Sequence, residues 1–315
     1  MANSVTSIVV RKDTMVFHVH GTADGVNAGA EGVWLAKGQV DNIYDAPVKT
    51  TYKTGAFQDG STMKARKFLH RDMPLGFHIR DTDSLFELNE SAFRQIFDYQ
   101  VDPWDPDPQP TSLEVTTTLS GTRTIDVLMH EQPEFASDLD PIMQEYGNLI
   151  LKLRAGQPMW YEDDYVDVFS TSTAGTATGT VTIWNPTDQI CRHRWVLTRG
   201  TWTLPDYQWV GVRGDRTPDG PFGDRTITLP PLTDVNGGAV VSLDRQDLML
   251  RDAHDTNILP LLGGRFFSFA IPPYTPPTEV PVKVTGAPSG GAMCQLVMPR
   301  RWSRPWGLEL LTPGS

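Results

Sequence analysis

Two histidines spaced two residues apart, His18 and His20, are the first candidate metal ligands in the chain. On a strand both side chains would project from one face, where a carboxylate and a third histidine would complete a site. The next acids are Asp24 and Glu31, and Glu31 lies beyond a glycine-rich segment. The other five histidines are scattered singly. This spacing favours structural histidines over a metal site.

A run of three acids, Glu162-Asp163-Asp164, has the residue types that glycoside hydrolysis uses. That reaction needs two carboxylates at a fixed separation across a cleft. Adjacent residues of a strand point to opposite faces, so only Glu162 and Asp164 would cooperate. We interpret the run as solvated charges at the edge of a sheet.

Two further groups of acids resemble calcium ligands only in type: Asp102, Asp105 and Asp107, and Asp252 with Asp255. Neither group has the ligand spacing and glycine of a calcium-binding loop. The chain also lacks the glycine-rich phosphate loops and the nucleophile elbow that mark common enzyme classes. We therefore expect a binding or assembly protein with no catalytic, metal or cofactor site.

The last distinctive segment is PRRWSRPWGLE at residues 299–309, which combines three arginines with two tryptophans near the end of the chain. Guanidinium groups stack on indole rings for ~0.5–2 kcal/mol each. The segment either closes its own domain or forms an exposed anchor for a partner or for nucleic acid. The candidate structural or interface residues are Arg300, Arg301, Trp302, Arg304 and Trp306.

Composition predicts a folded, β-rich protein. The chain has 315 residues, which suits two domains, and 39% of them are hydrophobic, including nine tryptophans. The 25 prolines and 27 glycines are spread without a period, as in proteins with many short strands and turns. A net charge of −11 argues against a general phosphate-binding surface. The two cysteines, Cys191 and Cys294, have no metal-ligand spacing, and we expect both to be reduced and buried.

The N-terminal residues lack the pattern of a secretion signal, and no stretch approaches the roughly 18 apolar residues that span a bilayer. We therefore expect a protein that is made and folded in the cytoplasm, with no membrane partner.

Local patterns predict the elements. The 21–32 segment reads as a flexible loop and 102–110 as a stiff, proline-rich loop. One helix is predicted from Asn89, and a second from Asp140 to Gly156, with Pro141 at its first position. Short strands after residue 159 predict a β-sandwich. The predicted strands are residues 7–10, 15–20, 33–35, 48–53, 64–69, 75–79, 113–127, 165–169, 179–184, 193–197, 225–229, 239–243, 248–250, 266–271, 280–285 and 292–298.

The order of several motifs resembles that of minor tail proteins of long-tailed actinobacteriophages, of the mycobacteriophage type, and within these the distal tail proteins (Dit). In the second half these motifs are WNPTD (184–188), LTRGTWTLPDYQW (197–209), TNILPLLGGRFFSFAIPPYTPP (256–277) and LVMPRRWSRPWGLE (296–309). In the first half they are APVKTTYKTGAFQDGS (46–61), RDMPLGFHI (71–79) and NESAFRQIFDY (89–99). The resemblance covers nearly the whole chain, and the terminal motif is its most specific part.

The resemblance implies a mainly β protein with a ring-forming, β-rich N-terminal domain at residues 1–157, containing one or two helices. A galectin-like β-sandwich would follow at residues 158–315. It also implies a homo-hexamer in the virion, at the tail tip or baseplate, which joins the tail tube protein to the tail hub around the tape-measure protein. DNA would pass through the ring lumen without specific binding.

A galectin-like domain raises the alternative of a carbohydrate-binding or host-envelope-degrading tail protein. Galectin sites use a histidine, an Asn-Pro-Arg motif, a stacking tryptophan and a glutamate. Here Asn185-Pro186 is followed by Thr187, and His193 lies downstream. This departure from the galectin motif argues against sugar binding. A galectin-like fold can persist without the ligand of that family.

Overall fold

A computed structural model describes residues 6–136 and 139–310, which form two compact units. The first unit contains the described residues up to Tyr161 together with Trp302–Gly307. The second contains Glu162–Arg301 and the described residues from Leu308 onward. The second domain expected from the sequence, residues 158–315, includes the whole terminal segment, whereas in the structure Trp302–Gly307 belongs to the first unit.

The first unit is built on an antiparallel sheet. The elements are β1 (Thr6–Lys12), β2 (Met15–His20), β3 (Thr22–Ala23), β4 (Val26–Asn27), β5 (Val33–Val40), β6 (Val48–Lys53), β7 (Thr62–Phe68), β8 (Arg71–Arg80), α1 (Phe86–Gln95), β9 (Thr111–Thr117), β10 (Gly121–Met129), β11 (Glu134–Phe135), α2 (Pro141–Gln144) and β12 (Tyr146–Ala155). In the sheet β2 pairs with β1, β1 with β9, β9 with β10, β10 with β12, β12 with β8 and β8 with β5. The strand pairs β3–β4 and β6–β7 form separate hairpins.

Helix α1 closes one part of the first core through Phe93, which is fully buried. Its ring makes edge-to-face contacts with Phe17 of β2, Phe77 of β8 and Phe97, at centroid distances of 5.0, 4.8 and 5.1 Å. Such aromatic pairs add about 0.5–1.5 kcal/mol each beyond the burial of their area.

The second unit is a sandwich of two sheets. The elements are β13 (Trp160–Thr171), β14 (Gly175–Asn185), β15 (Arg194–Leu197), β16 (Thr201–Pro205), β17 (Trp209–Val210), β18 (Thr217–Pro218), β19 (Thr226–Thr228), β20 (Ala239–Ser242), β21 (Leu250–Asp252), a 3-10 helix at Leu259–Leu262, β22 (Thr275–Ala287) and β23 (Ala292–Trp302). The strands of one sheet are ordered β13-β23-β15-β20-β21, and those of the other β14-β22-β16-β19. The prediction of a mainly β protein is confirmed.

The long helix predicted from Asp140 to Gly156 is wrong beyond its first turn. Asp140 does cap a helix, by accepting the backbone N–H of Ile142 at 3.0 Å, but α2 ends at Gln144 and Glu145 has a left-handed φ of 54°. The next ten residues form β12. Its buried positions alternate strictly, and it pairs with β8 along the whole of both strands.

The predicted start of the first helix at Asn89 is also wrong. Helix α1 begins three residues earlier, after Leu85, and the Asp81 carboxylate accepts the backbone N–H of Phe86. The side chain of Asn89 is buried, and its amide donates to the carbonyl oxygens of Arg80 at 3.0 Å and Ser84 at 3.3 Å. Asn89 therefore fixes the loop before the helix. The strand predicted at residues 266–271 does not form, and the predicted loop at 21–32 contains β3 and β4.

Candidate functional site

The indole of Trp302, where β23 ends, lies in the core of the first unit and is only 2% exposed. The guanidinium group of Arg123, from β10, lies over this ring at 3.7 Å from its centroid. Both side chains are shielded from water, which strengthens a cation–π contact. The terminal segment is thus anchored in the first unit by a buried aromatic residue.

Arg123 also holds the backbone that follows Trp302. Its Nη1 donates to the carbonyl oxygens of Arg304 at 3.1 Å and of Gly307 at 3.0 Å. The N–H of Gly307 in turn donates to Ser120 Oγ at 2.8 Å. Gly307 has a φ of 72°, in the left-handed region that glycine adopts without strain.

A second buried arginine, Arg71 of β8, joins the terminal segment to two other parts of the first unit. Nε and Nη2 donate to the carbonyl oxygen of Pro158 at 3.1 and 2.8 Å, and Nη2 also donates to that of Ser303 at 3.1 Å. Nη1 donates to the carbonyl oxygens of residues 42, 43 and 44 at 2.8–3.1 Å. Burial lowers the pKa of Arg71 to about 10, against the opposing charge of Asp45. The group therefore stays charged at neutral pH.

Neither buried arginine was predicted as a site residue, although the strand periodicity contained the signal. Arg71 has the same phase as Met73, Leu75, Phe77 and Ile79, all of which face the core. Arg123 has the phase of the buried residues at 125, 127 and 129 in β10. A charged residue in the apolar phase of a strand needs hydrogen-bond acceptors inside the protein.

The other predicted residues of the terminal segment differ in their surroundings. In the first unit, Arg304 Nε lies 3.2 Å from Asp45 Oδ1, and the half-buried Trp306 packs edge-to-face on Tyr44 with centroids 4.9 Å apart. Arg301 is half-buried.

Arg300 lies in the second unit, where it covers an aromatic pair. Its guanidinium carbon is 4.4 Å from the ring centroid of Trp184 and 5.4 Å from that of Tyr165, and its Nη1 is 4.0 Å from Glu162 Oε2. Asp164 faces a different arginine, Arg194, at 3.2 Å. Glu162 and Asp164 therefore lie beside separate cations. This arrangement favours two ion pairs over a catalytic pair of carboxylates.

The residues that the sequence analysis compared with a galectin sugar site have internal contacts. Asn185 is 2% exposed, and its side-chain amide donates to the carbonyl oxygens of Gln189 and Pro272 at 2.9 Å. Arg300 covers a face of Trp184. His193 is buried, and burial lowers its pKa to about 4. These side chains are used for packing.

The two histidines considered as candidate metal ligands, His18 and His20, differ in their surroundings. His18 is buried with Nδ1 2.7 Å from Glu31 Oε1, and its backbone N–H donates to Glu31 Oε2 at 2.9 Å, whereas His20 is exposed. Within the described residues no three histidine, cysteine or acidic side chains are placed to hold a metal ion. Cys191 and Cys294 are free and buried, as expected.

None of the helices described has the length and apolar character needed to cross a membrane.

Comparisons with known proteins relate the chain to phage tails. It is 25% identical to minor tail protein Gp27 of Mycobacterium phage D29 over an alignment of 337 positions, which covers 92% of this chain and 97% of that protein. Gp27 of Mycobacterium phage L5 gives the same identity and coverage. The crystal structure of the Dit protein (gp 19.1) of phage SPP1 superposes with a TM-score of 0.50 at 10% identity, covering 94% of this chain and 99% of that one. No protein-family model matches.

The resemblance of the motifs to those of phage minor tail proteins and Dit proteins is thereby confirmed. The chain is similar in sequence to minor tail proteins of mycobacteriophages along nearly its whole length, and it has the fold of a Dit protein.

Proposed function

We propose that this protein is a structural component of a phage tail, and specifically the ring adaptor of its tip. In this role six copies form a ring that joins the tail tube protein to the tail hub, around the tape-measure protein. The proposal is supported by the sequence similarity to minor tail proteins and by a fold shared with a protein described as a paradigm of the hub adsorption apparatus.

The distribution of exposed aromatic side chains supports assembly through the first unit. Interfaces are enriched in aromatic residues, which contribute much of the binding energy. Seven of the nine large aromatic residues that are exposed in the described chain belong to the first unit, against two in the second. The seven are Tyr44, Tyr52, Phe57, Tyr99, Trp104, Phe135 and Tyr146.

A ring requires two different complementary surfaces on each copy, repeated by a rotation that closes. Six copies of 35.0 kDa give 6 × 35.0 = 210 kDa. The candidate sugar-binding residues of the second unit are engaged in internal contacts, which does not support the alternative of glycan binding.

Two measurements test the proposal. Native mass spectrometry of the full chain is expected to give a 210 kDa species, and gold labelling of an epitope-tagged copy in virions is expected to mark the tail tip only. If the isolated protein is a monomer, the position of the gold label on the virion still tests its location at the tail tip. A label along the tail or on the capsid would refute the proposal.

A further inference from the structure

The β6–β7 hairpin with its connecting turn, residues 48–68, stands apart from the sheet of the first unit, and we call it the basic arm. Its two strands pair only with each other among the described strands. Every residue from 48 to 67 is exposed, and Phe57 near the tip is fully so. A two-stranded hairpin alone is marginally stable in water, so a partner surface would stabilise it.

The basic arm has a charge opposite to that of the rest of the chain. It contains five cations and one acid, Asp59, for a net +4, and the remaining residues therefore sum to −11 − 4 = −15. No described residue forms an ion pair with any of these cations. Lys49 and Lys67 lie directly opposite each other in the register, where like charges repel. The five cations are Lys49, Lys53, Lys64, Arg66 and Lys67.

Other pairs of the basic arm are apolar. Tyr52 lies opposite Met63, and Val48 lies opposite Phe68. Val48, Tyr52 and Met63 are 50%, 56% and 50% exposed. A matching surface must therefore offer both carboxylates and apolar or aromatic area, which a protein provides and a phosphate backbone does not.

A surface with these properties is present in the first unit at residues 99–110, which we call the proline loop. It has three acids and no cation, and its Trp104 is 85% exposed. The loop is ordered by its own side chains, since the backbone N–H groups of Trp104 and Asp107 donate to Asp102 Oδ1 and Asp105 Oδ1, both at 2.9 Å. Its prolines reduce the entropy lost on binding.

We propose that the basic arm of one copy docks on the proline loop of the neighbouring copy in the ring. This inference rests on the proposed function, because it names the contact that closes the ring. Charge complementarity between the +4 arm and the −3 loop supports a second copy of this chain as the partner. The arm and the loop are different surfaces, so the contact is heterologous and repeats around a ring. The face of Trp104 would receive an arm cation.

Charge reversal tests the contact in both directions. An arm variant carries Lys49→Glu, Lys64→Glu and Arg66→Glu. A loop variant carries Asp102→Lys, Asp105→Lys and Asp107→Lys. Each variant alone is expected to lose hexamer formation and incorporation into tails at least about tenfold, because like charges then face each other. The variant that combines both sets restores the opposite signs and is expected to assemble.

Mixing the arm variant with the loop variant gives a second rescue. Each arm then matches only the loop of the other variant, so the mixture is expected to form rings with three copies of each, alternating. A matched control reverses three exposed cations outside the arm, Lys37→Glu, Arg245→Glu and Lys283→Glu, and is expected to assemble like the unmodified protein.

Two milder variants protect the test against misfolding of the loop. The variant with Asp102→Asn, Asp105→Asn and Asp107→Asn keeps the oxygen acceptors of the loop, and Trp104→Ala removes an exposed ring. Both variants should leave thermal melting unchanged and weaken assembly. The proposal is overturned if the charge-reversed variants assemble like the control, or if neither the combined variant nor the mixture recovers. Absence of the unmodified protein from the tail tip would instead refute the proposed function.

Discussion

The guanidinium group of Arg71 is hydrogen-bonded to the carbonyl oxygens of five residues in three separate segments of the first unit. A lysine has three donors on a compact ammonium group and does not reproduce this fork. We predict that Arg71→Lys lowers the free energy of unfolding by about 3 kcal/mol or more, because carbonyl groups lose their partners. Urea titration measures the loss. The exposed Arg66→Lys is the control, and equal stability of the two variants would contradict the prediction.

Trp302 provides a second test of how the terminal segment is held. Its indole is 2% exposed in the first core, whereas that of Trp104 is 85% exposed. Trp302→Ala is expected to cost ~3–5 kcal/mol because it leaves a cavity and removes the cation–π contact of Arg123. Trp104→Ala should change stability by less than about 0.5 kcal/mol. If Trp302→Ala melts like the parent protein but fails to assemble, the segment is an interface and not an internal anchor.

His193 predicts a dependence of stability on pH. Burial lowers its pKa from 6.5 to about 4 in the folded protein. Between these values the unfolded chain binds more protons, so stability is full above pH 6.5 and falls as the pH decreases towards 4, by up to about 3 kcal/mol. His193→Gln should reduce the difference in urea midpoint between pH 7.5 and pH 4.5. An unchanged difference would show that His193 is not the group responsible.

Strand β12 shows where a sequence pattern fits both a helix and a strand. Its apolar residues satisfy helical spacing through Tyr146, Leu149 and Leu153, and they also satisfy strand alternation through Leu149, Leu151 and Leu153. Ten paired positions with β8 decide in favour of the strand, and this long-range pairing is not visible in a local window. By contrast, β2 and β6 were predicted with their observed bounds, because turn residues delimit each run.

The candidate site was predictable only in part, because its members are distant from one another in the sequence. The terminal motif indicated aromatic and cationic contacts, but the arginines that contact Trp302 and Ser303 come from β10 and β8, far away in the chain. Arg71 and Arg123 are inconspicuous unless their phase in the strands is known. Local composition identifies the terminal segment, but only the fold identifies the residues that contact it.

Excision of the basic arm tests its role as an element. Replacing residues 49–67 by a short glycine-serine turn joins positions 48 and 68, which lie opposite each other in the register. Since every removed side chain is exposed, thermal melting of the first unit is expected to be unchanged, while hexamers and tail incorporation are lost. Normal assembly of the excised protein would contradict the arm-to-loop contact.

At the scale of the whole molecule, charge constrains the geometry of a ring through which DNA passes. Six copies have a formal charge of 6 × −11 = −66, and like-charge repulsion acts on groups within ~8 Å of the DNA at physiological salt. Six basic arms would contribute 6 × 5 = 30 cations, which would retain DNA if they faced the channel. Arms placed between subunits leave a neutral or acidic lumen.

Electron cryomicroscopy of the tail tip of the virion would show the proposed ring itself. We expect a ring of six copies between the tail tube and the hub, into which the first unit fits, with each basic arm on a neighbour and no belt of lysine and arginine facing the channel. A tail-tip map without six-fold density for this chain at that level would refute the role of ring adaptor.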